Sequence, residues 1–110
     1  MTRRIILAAA FVLAGSAAAA EPALVQKGYA VARSHCGQCH ALEGPAPSPN
    51  PGAPGFADIG RRYDAGVLPA RIRQVTREGH YAMPVRRLQA WQRNALAAYI
   101  ADAGERAGRN

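Results

Sequence analysis

The pentapeptide Cys36-Gly37-Gln38-Cys39-His40 constrains this chain more than any other feature, because it contains both cysteines of the 110 residues. Cysteines three positions apart lie on the same face of a helical turn. Two thiols at this spacing can form thioether bonds along one edge of a porphyrin, and the imidazole that follows then lies beneath the iron. The C-x-x-C-H motif therefore predicts covalent attachment of one haem c through Cys36 and Cys39, with His40 as the proximal iron ligand.

Other chemistries also use closely spaced cysteines. A thioredoxin-like thiol oxidoreductase places C-x-x-C in a βαβ unit, but no segment here has the alternating pattern of a strand. A structural zinc site needs four ligands, and Cys36, Cys39, His40 and a distant histidine could supply them, but nothing repeats the cysteine pair. A simple disulfide leaves His40 unexplained. The sequence thus favours haem and keeps thiol-redox and zinc chemistry as alternatives.

Residues 1–20 have the pattern of a secretory signal peptide. Two arginines precede a continuous apolar run from Ile5 to Ala14, and four alanines then fit cleavage before Glu21. A membrane-spanning helix needs about 20 apolar residues, which is more than this run supplies, so we expect cleavage rather than a retained anchor. Residues 21–110 are then expected to form a single domain in the periplasm.

The composition fits one small domain whose side chains are too few to fill its core without a bound group. The predicted mature chain has 90 residues, and the full sequence has only one Trp, four Tyr and two Phe. This length excludes a two-domain enzyme, and a bound haem would supply the missing apolar surface. Loss of the two signal arginines lowers the formal net charge from +7 to +5. The remaining basic groups are scattered, which argues against nucleic acid as a partner.

A single methionine, Met83, remains after the predicted signal is removed. It lies between two predicted helices, and the proline after it stiffens the segment. A thioether is a soft ligand that favours ferrous iron, so we expect Met83 to be the distal iron ligand. The alternatives are that Met83 fills the core, or that His80 is the ligand and forms a bis-histidine haem. His35 is expected to face solvent.

Helical periodicity without strand patterns predicts an all-α fold of about four helices. Between the first two helices, residues 44–55 contain five prolines and three glycines and are expected to form a long loop around the haem. Gly104 is expected to end the last helix. The helices are predicted at residues 22–36, 56–63, 68–79 and 88–103.

Three residues on these helices carry further expectations. Trp91 and Tyr99 lie at helical spacing, so both rings are expected in the core rather than in redox roles. Gly28 lies inside the first helix, where glycine costs about 1 kcal/mol relative to alanine. We therefore expect another helix to approach closely at Gly28.

These motifs together resemble the class I monohaem cytochromes c of the small bacterial type, over nearly all of residues 23–103. The matching features are Gly28 eight residues before Cys36, the attachment motif at 36–40, Ala53-Pro54-Gly55-Phe56 with Ile59 and Arg62-Tyr63, and Met83-Pro84 followed by Leu96-Ala97-Ala98-Tyr99-Ile100.

The resemblance implies that the terminal helices cross near Gly28 and Tyr99. It also implies that a proline carbonyl from the long loop orients His40, and Pro47, Pro49 and Pro51 are the candidates. The chain departs from the mitochondrial members, which are rich in lysine around the haem edge, because Lys27 is its one lysine.

A haem with two protein ligands has no open position for a substrate, so the sequence predicts one-electron transfer rather than catalysis. We expect a periplasmic electron carrier. One alternative is an electron-accepting haem c subunit of a periplasmic dehydrogenase or oxidase complex. Another is a haem enzyme or gas sensor in which Met83 dissociates.

Arginines are expected to provide the contacts with redox partners. Arg86 and Arg87 follow Met83 closely, where a donor or acceptor with acidic docking patches could bind. An ordinary solvated surface is the alternative for both. Arg61, Arg62 or Tyr63 is expected near a haem propionate.

Overall fold

The computed structural model describes residues 9–12 and 21–109. In these ranges the chain forms four helices and no strand, which confirms the predicted all-α fold. The predicted signal peptide lies outside the described residues except for 9–12. None of the helices in the described ranges has the length and apolar character needed to cross a bilayer. The helices are α1 (Pro22–His35), α2 (Phe56–Arg62), α3 (Leu68–Glu78) and α4 (Ala90–Gly108).

The first and last helices cross at Gly28, as expected. A Cβ atom on Gly28 would collide with the carbonyl oxygen of Ala95 and would lie 2.7 Å from the Cβ of Tyr99. Ala95 and Tyr99 are four residues apart on α4, so they present one face to α1. The two backbones can approach this closely only because Gly28 has no side chain.

A second contact between helix backbones corrects the prediction for Gly104. This residue does not end α4, which continues to Gly108. Instead, α2 packs against it: a Cβ on Gly104 would lie 2.8 Å from the Cα of Gly60, and one on Gly60 would lie 2.8 Å from the nitrogen of Gly104. A glycine late in a helix can either end the helix or allow another backbone to approach closely. Here Gly104 allows the close approach of Gly60.

The core forms where α1, α2 and α3 pack against α4. Tyr99 is buried as predicted, and its hydroxyl donates a 2.6 Å hydrogen bond to the carbonyl of Leu42. This bond fixes the start of the long loop to the last helix. The core cluster contains Val31, Ala32, Phe56, Leu68, Ile72, Leu88, Leu96, Ala97, Tyr99 and Ile100.

The prediction that Trp91 lies in the core is wrong, because its side chain is 53% exposed. Trp91 is in the first turn of α4, one turn before the crossing with α1 begins at Ala95. Its indole N–H donates to the side chain of Gln89 at 2.7 Å. Gln89 and Gln92 form a reciprocal capping box at the start of the helix.

Candidate haem-binding site

The C-x-x-C-H motif forms a hydrogen-bonded turn directly after α1. The backbone N–H of Cys36 donates to the carbonyl of Ala32 at 2.8 Å, which continues the helix by one residue. The N–H groups of Cys39 and His40 then donate to the carbonyl of Cys36 at 3.2 and 3.0 Å. Both thiols are free and half-buried. This turn has the geometry on which attachment through two thioethers depends.

The thiol of Cys36 lies in an environment that disfavours charge. Burial raises its pKa to about 11, and the positive charge of Arg86 only partly opposes this shift. The thiolate is therefore disfavoured at neutral pH. An uncharged thioether carries no such penalty, so the surroundings of Cys36 suit the predicted covalent bond.

The imidazole of His40 is oriented by the backbone. Its Nδ1–H donates a 2.8 Å hydrogen bond to the carbonyl of Pro54, and its ring centroid lies 5.3 Å from that of buried Phe56. Because a carbonyl can only accept, Nδ1 carries the proton and Nε2 keeps the lone pair that a metal ligand needs. The expected bond from His40 to a loop proline carbonyl is confirmed.

The proline that orients His40 is Pro54, so the candidates Pro47, Pro49 and Pro51 are wrong. All three are exposed, whereas Pro54 is half-buried. The cause is a 2.9 Å hydrogen bond from the N–H of Phe56 to the carbonyl of Ala41. This bond draws the end of the loop, rather than its middle, beside His40.

Two further contacts hold the loop against the turn, and the sequence analysis missed both. The N–H of Ala41 donates to the hydroxyl of Ser48 at 2.9 Å, and the N–H of Asn50 donates to the carbonyl of Cys39 at 3.1 Å. Ser48 is the one hydroxyl side chain in residues 44–55, which was the signal available. A loop rich in proline is thus held by a few donors at defined positions.

Met83 closes a tight turn after α3. The helix ends at Gly79, whose φ of 75° suits glycine, and the N–H of Met83 then donates to the carbonyl of His80 at 2.7 Å. Met83 is half-buried, whereas His80 is exposed and its ring lies against that of Tyr81 at 4.1 Å. Of the two candidate distal ligands, Met83 is therefore more buried than His80.

Arg86 connects the Met83 segment with the attachment turn. Its backbone N–H donates to the carbonyl of Thr76 at 2.7 Å, and its charge lowers the pKa of Cys36. The Arg86 side chain is half-buried and that of Arg87 is exposed, and docking of a partner at either stays a prediction.

The Nε atom of Arg86 supplies a test of whether haem fits this site. It is buried and has no hydrogen-bond partner among the residues that the structure describes, and such donors are rare unless a bound group accepts the bond. The buried Nε–H of Arg86, two free thiols on one turn and an oriented imidazole are together compatible with an anionic, covalently held haem.

The other predicted residues lie around this centre. His35 is the half-buried last residue of α1. Arg61 forms an exposed ion pair with Asp58, Arg62 is exposed, and Tyr63 is half-buried with its ring centroid 6.0 Å from the guanidinium of Arg71. In the described part of the chain, no three His, Cys, Asp or Glu side chains converge as metal ligands, so the geometry of the zinc alternative is not found there.

A helical fold in which a C-x-x-C-H turn follows the first of two crossing terminal helices defines a c-type cytochrome domain. A family model described as "Cytochrome C oxidase, cbb3-type, subunit III" matches residues 23–100, and the chain belongs to this family. The predicted resemblance to class I cytochromes c is thereby confirmed. Membership implies a covalently bound haem c and haem-based electron transfer. No curated protein and no solved structure matches the chain significantly.

Proposed function

We propose that this protein is a periplasmic one-electron carrier with a single haem c, bound covalently to Cys36 and Cys39 and ligated by His40 and Met83. The observation that carries the proposal is the hydrogen bond from His40 Nδ1 to the Pro54 carbonyl. It leaves Nε2 as the coordinating nitrogen one residue after the second thiol.

The haem, when bound, supplies the Fe(III)/Fe(II) couple, and the protein sets how it is used. His40 is held in one tautomer and one orientation by Pro54 and Phe56. Met83 would supply a thioether ligand, which would favour the reduced state and disfavour reactions that bind a substrate to iron. A rigid pair of ligands keeps the structural change on electron transfer small.

The first test is the covalent attachment of haem. The full chain is expressed with a haem-attachment system, and haem is stained on a denaturing gel. We expect a stained band for the natural chain and none for the double variant Cys36→Ser/Cys39→Ser. An unstained natural chain contradicts the proposal and favours thiol-redox chemistry.

The second test is axial ligation. Visible and near-infrared spectra of the oxidised and reduced protein are expected to show a low-spin haem with His/Met ligands. The reduced protein is also mixed with carbon monoxide at neutral pH. Rapid binding contradicts a six-coordinate carrier and favours the haem enzyme or gas sensor, in which Met83 dissociates.

The family description favours a second candidate function, that of an electron-accepting subunit in a larger redox complex, because the matching family is named for an oxidase subunit. The apparent size of the native protein distinguishes a free carrier from a subunit of a complex. Periplasmic extract is separated by gel filtration, and fractions are stained for covalent haem. A carrier elutes at the size of the 11.6 kDa chain or below, whereas a subunit elutes with its complex.

A further inference from the structure

We propose that Tyr29 is the side chain oxidised when hydrogen peroxide is reduced at the haem, because a row of aromatic rings connects Tyr29 with the proximal ligand. This inference goes beyond the carrier function, and it rests on the proposed attachment of haem beside His40. We call the row the aromatic chain, and its members are His40, Phe56, Tyr99 and Tyr29.

Neighbouring rings of the aromatic chain are in contact. The ring centroids of His40 and Phe56 lie 5.3 Å apart, and those of Phe56 and Tyr99 lie 6.4 Å apart. The centroids of Tyr99 and Tyr29 lie 5.3 Å apart. Packed aromatic pairs have separations in this range. Because electron transfer slows steeply with distance, a series of short contacts is a faster route than one long step.

The aromatic chain leads from the interior to the surface. The side chains of Phe56 and Tyr99 are each only 3% exposed, so an oxidant in solution does not reach them directly. Tyr29 is half-buried, and the guanidinium carbon of Arg33 lies 6.0 Å from the centroid of its ring. The ring of Tyr29 is therefore held between Tyr99 and Arg33, at the point where the aromatic chain meets solvent.

The two inner rings pass an electron on but do not keep the oxidation. Phe56 has no hydroxyl group and resists oxidation, so it only couples His40 to Tyr99. The hydroxyl of Tyr99 donates to the carbonyl of Leu42 at 2.6 Å, and a carbonyl accepts a hydrogen bond without taking over the proton. Burial also raises the pKa of Tyr99. An oxidised Tyr99 therefore keeps its proton and takes an electron from the ring beside it.

Tyr29 is the residue on which the oxidation comes to rest. It gives one electron to Tyr99 and releases its phenolic proton to water, which its half-buried position allows. Hydrogen peroxide needs two electrons and two protons to become two molecules of water. In the reduced protein, one electron comes from ferrous haem and the other from Tyr29, and solvent supplies the second proton. The products are ferric haem, a neutral Tyr29 radical and water.

Two other tyrosines serve as references for this route. Tyr81 is 97% exposed, so it is the first target of an oxidant that acts from solution. Tyr63 is half-buried, with its ring centroid 6.0 Å from the guanidinium of Arg71. In the part of the chain that the structure describes, the close ring pairs join neither Tyr63 nor Tyr81 to Phe56 or Tyr99. Oxidation of Tyr29 ahead of Tyr81 is therefore the signature of the aromatic chain.

The test uses the haem-loaded, reduced protein, freed of reductant and mixed with hydrogen peroxide and the spin trap tert-nitrosobutane. Peptide mass spectrometry then locates the trapped radical. We expect more adduct on Tyr29 than on Tyr81. Tyr99→Phe keeps the ring but removes the oxidisable phenol, and is expected to lose most of the Tyr29 adduct while the Tyr81 adduct stays unchanged. The matched control, Tyr63→Phe, is expected to leave both adducts unchanged.

The Met83→Ala variant tests whether the oxidation begins at the iron. Since Met83 is the proposed sixth ligand, peroxide reacts slowly with the natural chain. Removal of the thioether opens the position and is expected to raise the rate at which the Tyr29 adduct forms. An unchanged rate would show that the oxidation starts elsewhere and would overturn the proposal.

Two further results would also overturn it. One is more adduct on Tyr81 than on Tyr29, which would show an oxidant acting from solution. The other is an equal amount of Tyr29 adduct in the Tyr99→Phe and Tyr63→Phe proteins, which would show that Tyr99 is not on the route. Each sample is first checked for covalent haem and for its visible spectrum. With both intact, these results leave the carrier function standing, whereas absence of covalent haem from the natural chain would contradict the carrier function itself.

Discussion

The Nδ1 atom of His40 lies 2.8 Å from the carbonyl oxygen of Pro54, fourteen residues later in the chain, and donates a hydrogen bond to it. Phe56 stabilises this hydrogen bond through two contacts. Its N–H donates to the carbonyl of Ala41, and its ring packs against that of His40. The orientation of the predicted proximal ligand thus depends on where a long, proline-rich loop ends.

Replacement of Phe56 by alanine tests this dependence. The ring is only 3% exposed, so its loss leaves a cavity and is expected to lower the free energy of unfolding by about 3–5 kcal/mol. Denaturant unfolding of the haem-loaded protein measures it. Val67→Ala, a truncation at an exposed position, is the control and is expected to change stability by less than about 0.5 kcal/mol. Equal losses in the two variants would argue against a structural role for Phe56.

Replacement of Met83 by alanine is expected to preserve covalent haem, lower the reduction potential and allow rapid binding of carbon monoxide. The reason is that a soft ligand which stabilises ferrous iron is removed and a coordination position opens. Potentiometric titration followed by visible absorbance measures the potential. His80→Ala is the matched control, since His80 is exposed, and should leave both properties unchanged. An effect of the His80 variant in place of the Met83 variant would identify a bis-histidine haem.

Replacement of Arg86 by methionine is expected to lower the reduction potential. A fixed positive charge near the haem would stabilise the ferrous state, and for any separation of about 10 Å an effective dielectric constant of about 20 gives about 1.7 kcal/mol. For one electron, this corresponds to a shift of about 70 mV. Methionine keeps most of the side-chain volume.

The adjacent Arg87 provides a control for this measurement, because its side chain is exposed. Arg87→Met is expected to change the potential far less. Arg86→Lys, which keeps the positive charge, is expected to keep most of the potential of the natural chain. Similar shifts for Arg86→Met and Arg87→Met would show a general surface-charge effect and would contradict a special role for the half-buried Arg86.

Replacement of Gly28 by alanine is expected to destabilise the protein by about 1–3 kcal/mol, or more if the helices cannot separate. The added methyl group meets the backbone of Ala95, which cannot rotate away as a side chain can. Gly66→Ala is the control, since a Cβ there has no neighbour within 4 Å and its φ is not positive. Thermal unfolding should show a lowered midpoint for the Gly28 variant and an unchanged or slightly raised one for the Gly66 variant.

The sequence predicted those features that depend on local spacing. The C-x-x-C-H turn, the four helices and the crossing at Gly28 all follow from residues a few positions apart, either directly or through the family resemblance. The bond from His40 to a loop proline was also anticipated through that resemblance.

The features that the sequence did not predict depend on contacts between distant segments. Pro54 orients His40 because Phe56 pairs with Ala41, and no local pattern distinguishes it from the other prolines of the loop. Gly104 lies inside α4, where Gly60 packs on it, and Trp91 is exposed in the first turn of the same helix. The charge of Arg86 likewise lowers the pKa of Cys36, which lies fifty residues earlier in the chain.

The hydrogen bond between Phe56 and Ala41 closes the intervening residues into a ring. The effect of an insertion or deletion in this ring therefore depends on where it falls. Pro45, Ala46 and Pro47 are exposed on the outside of the ring, away from its closing bond. The entropy of closing a loop rises only slowly as residues are added. Insertions at 45–47 are therefore expected to leave the ligand geometry intact, whereas a single deletion between Pro54 and Phe56 would move the carbonyl away from His40.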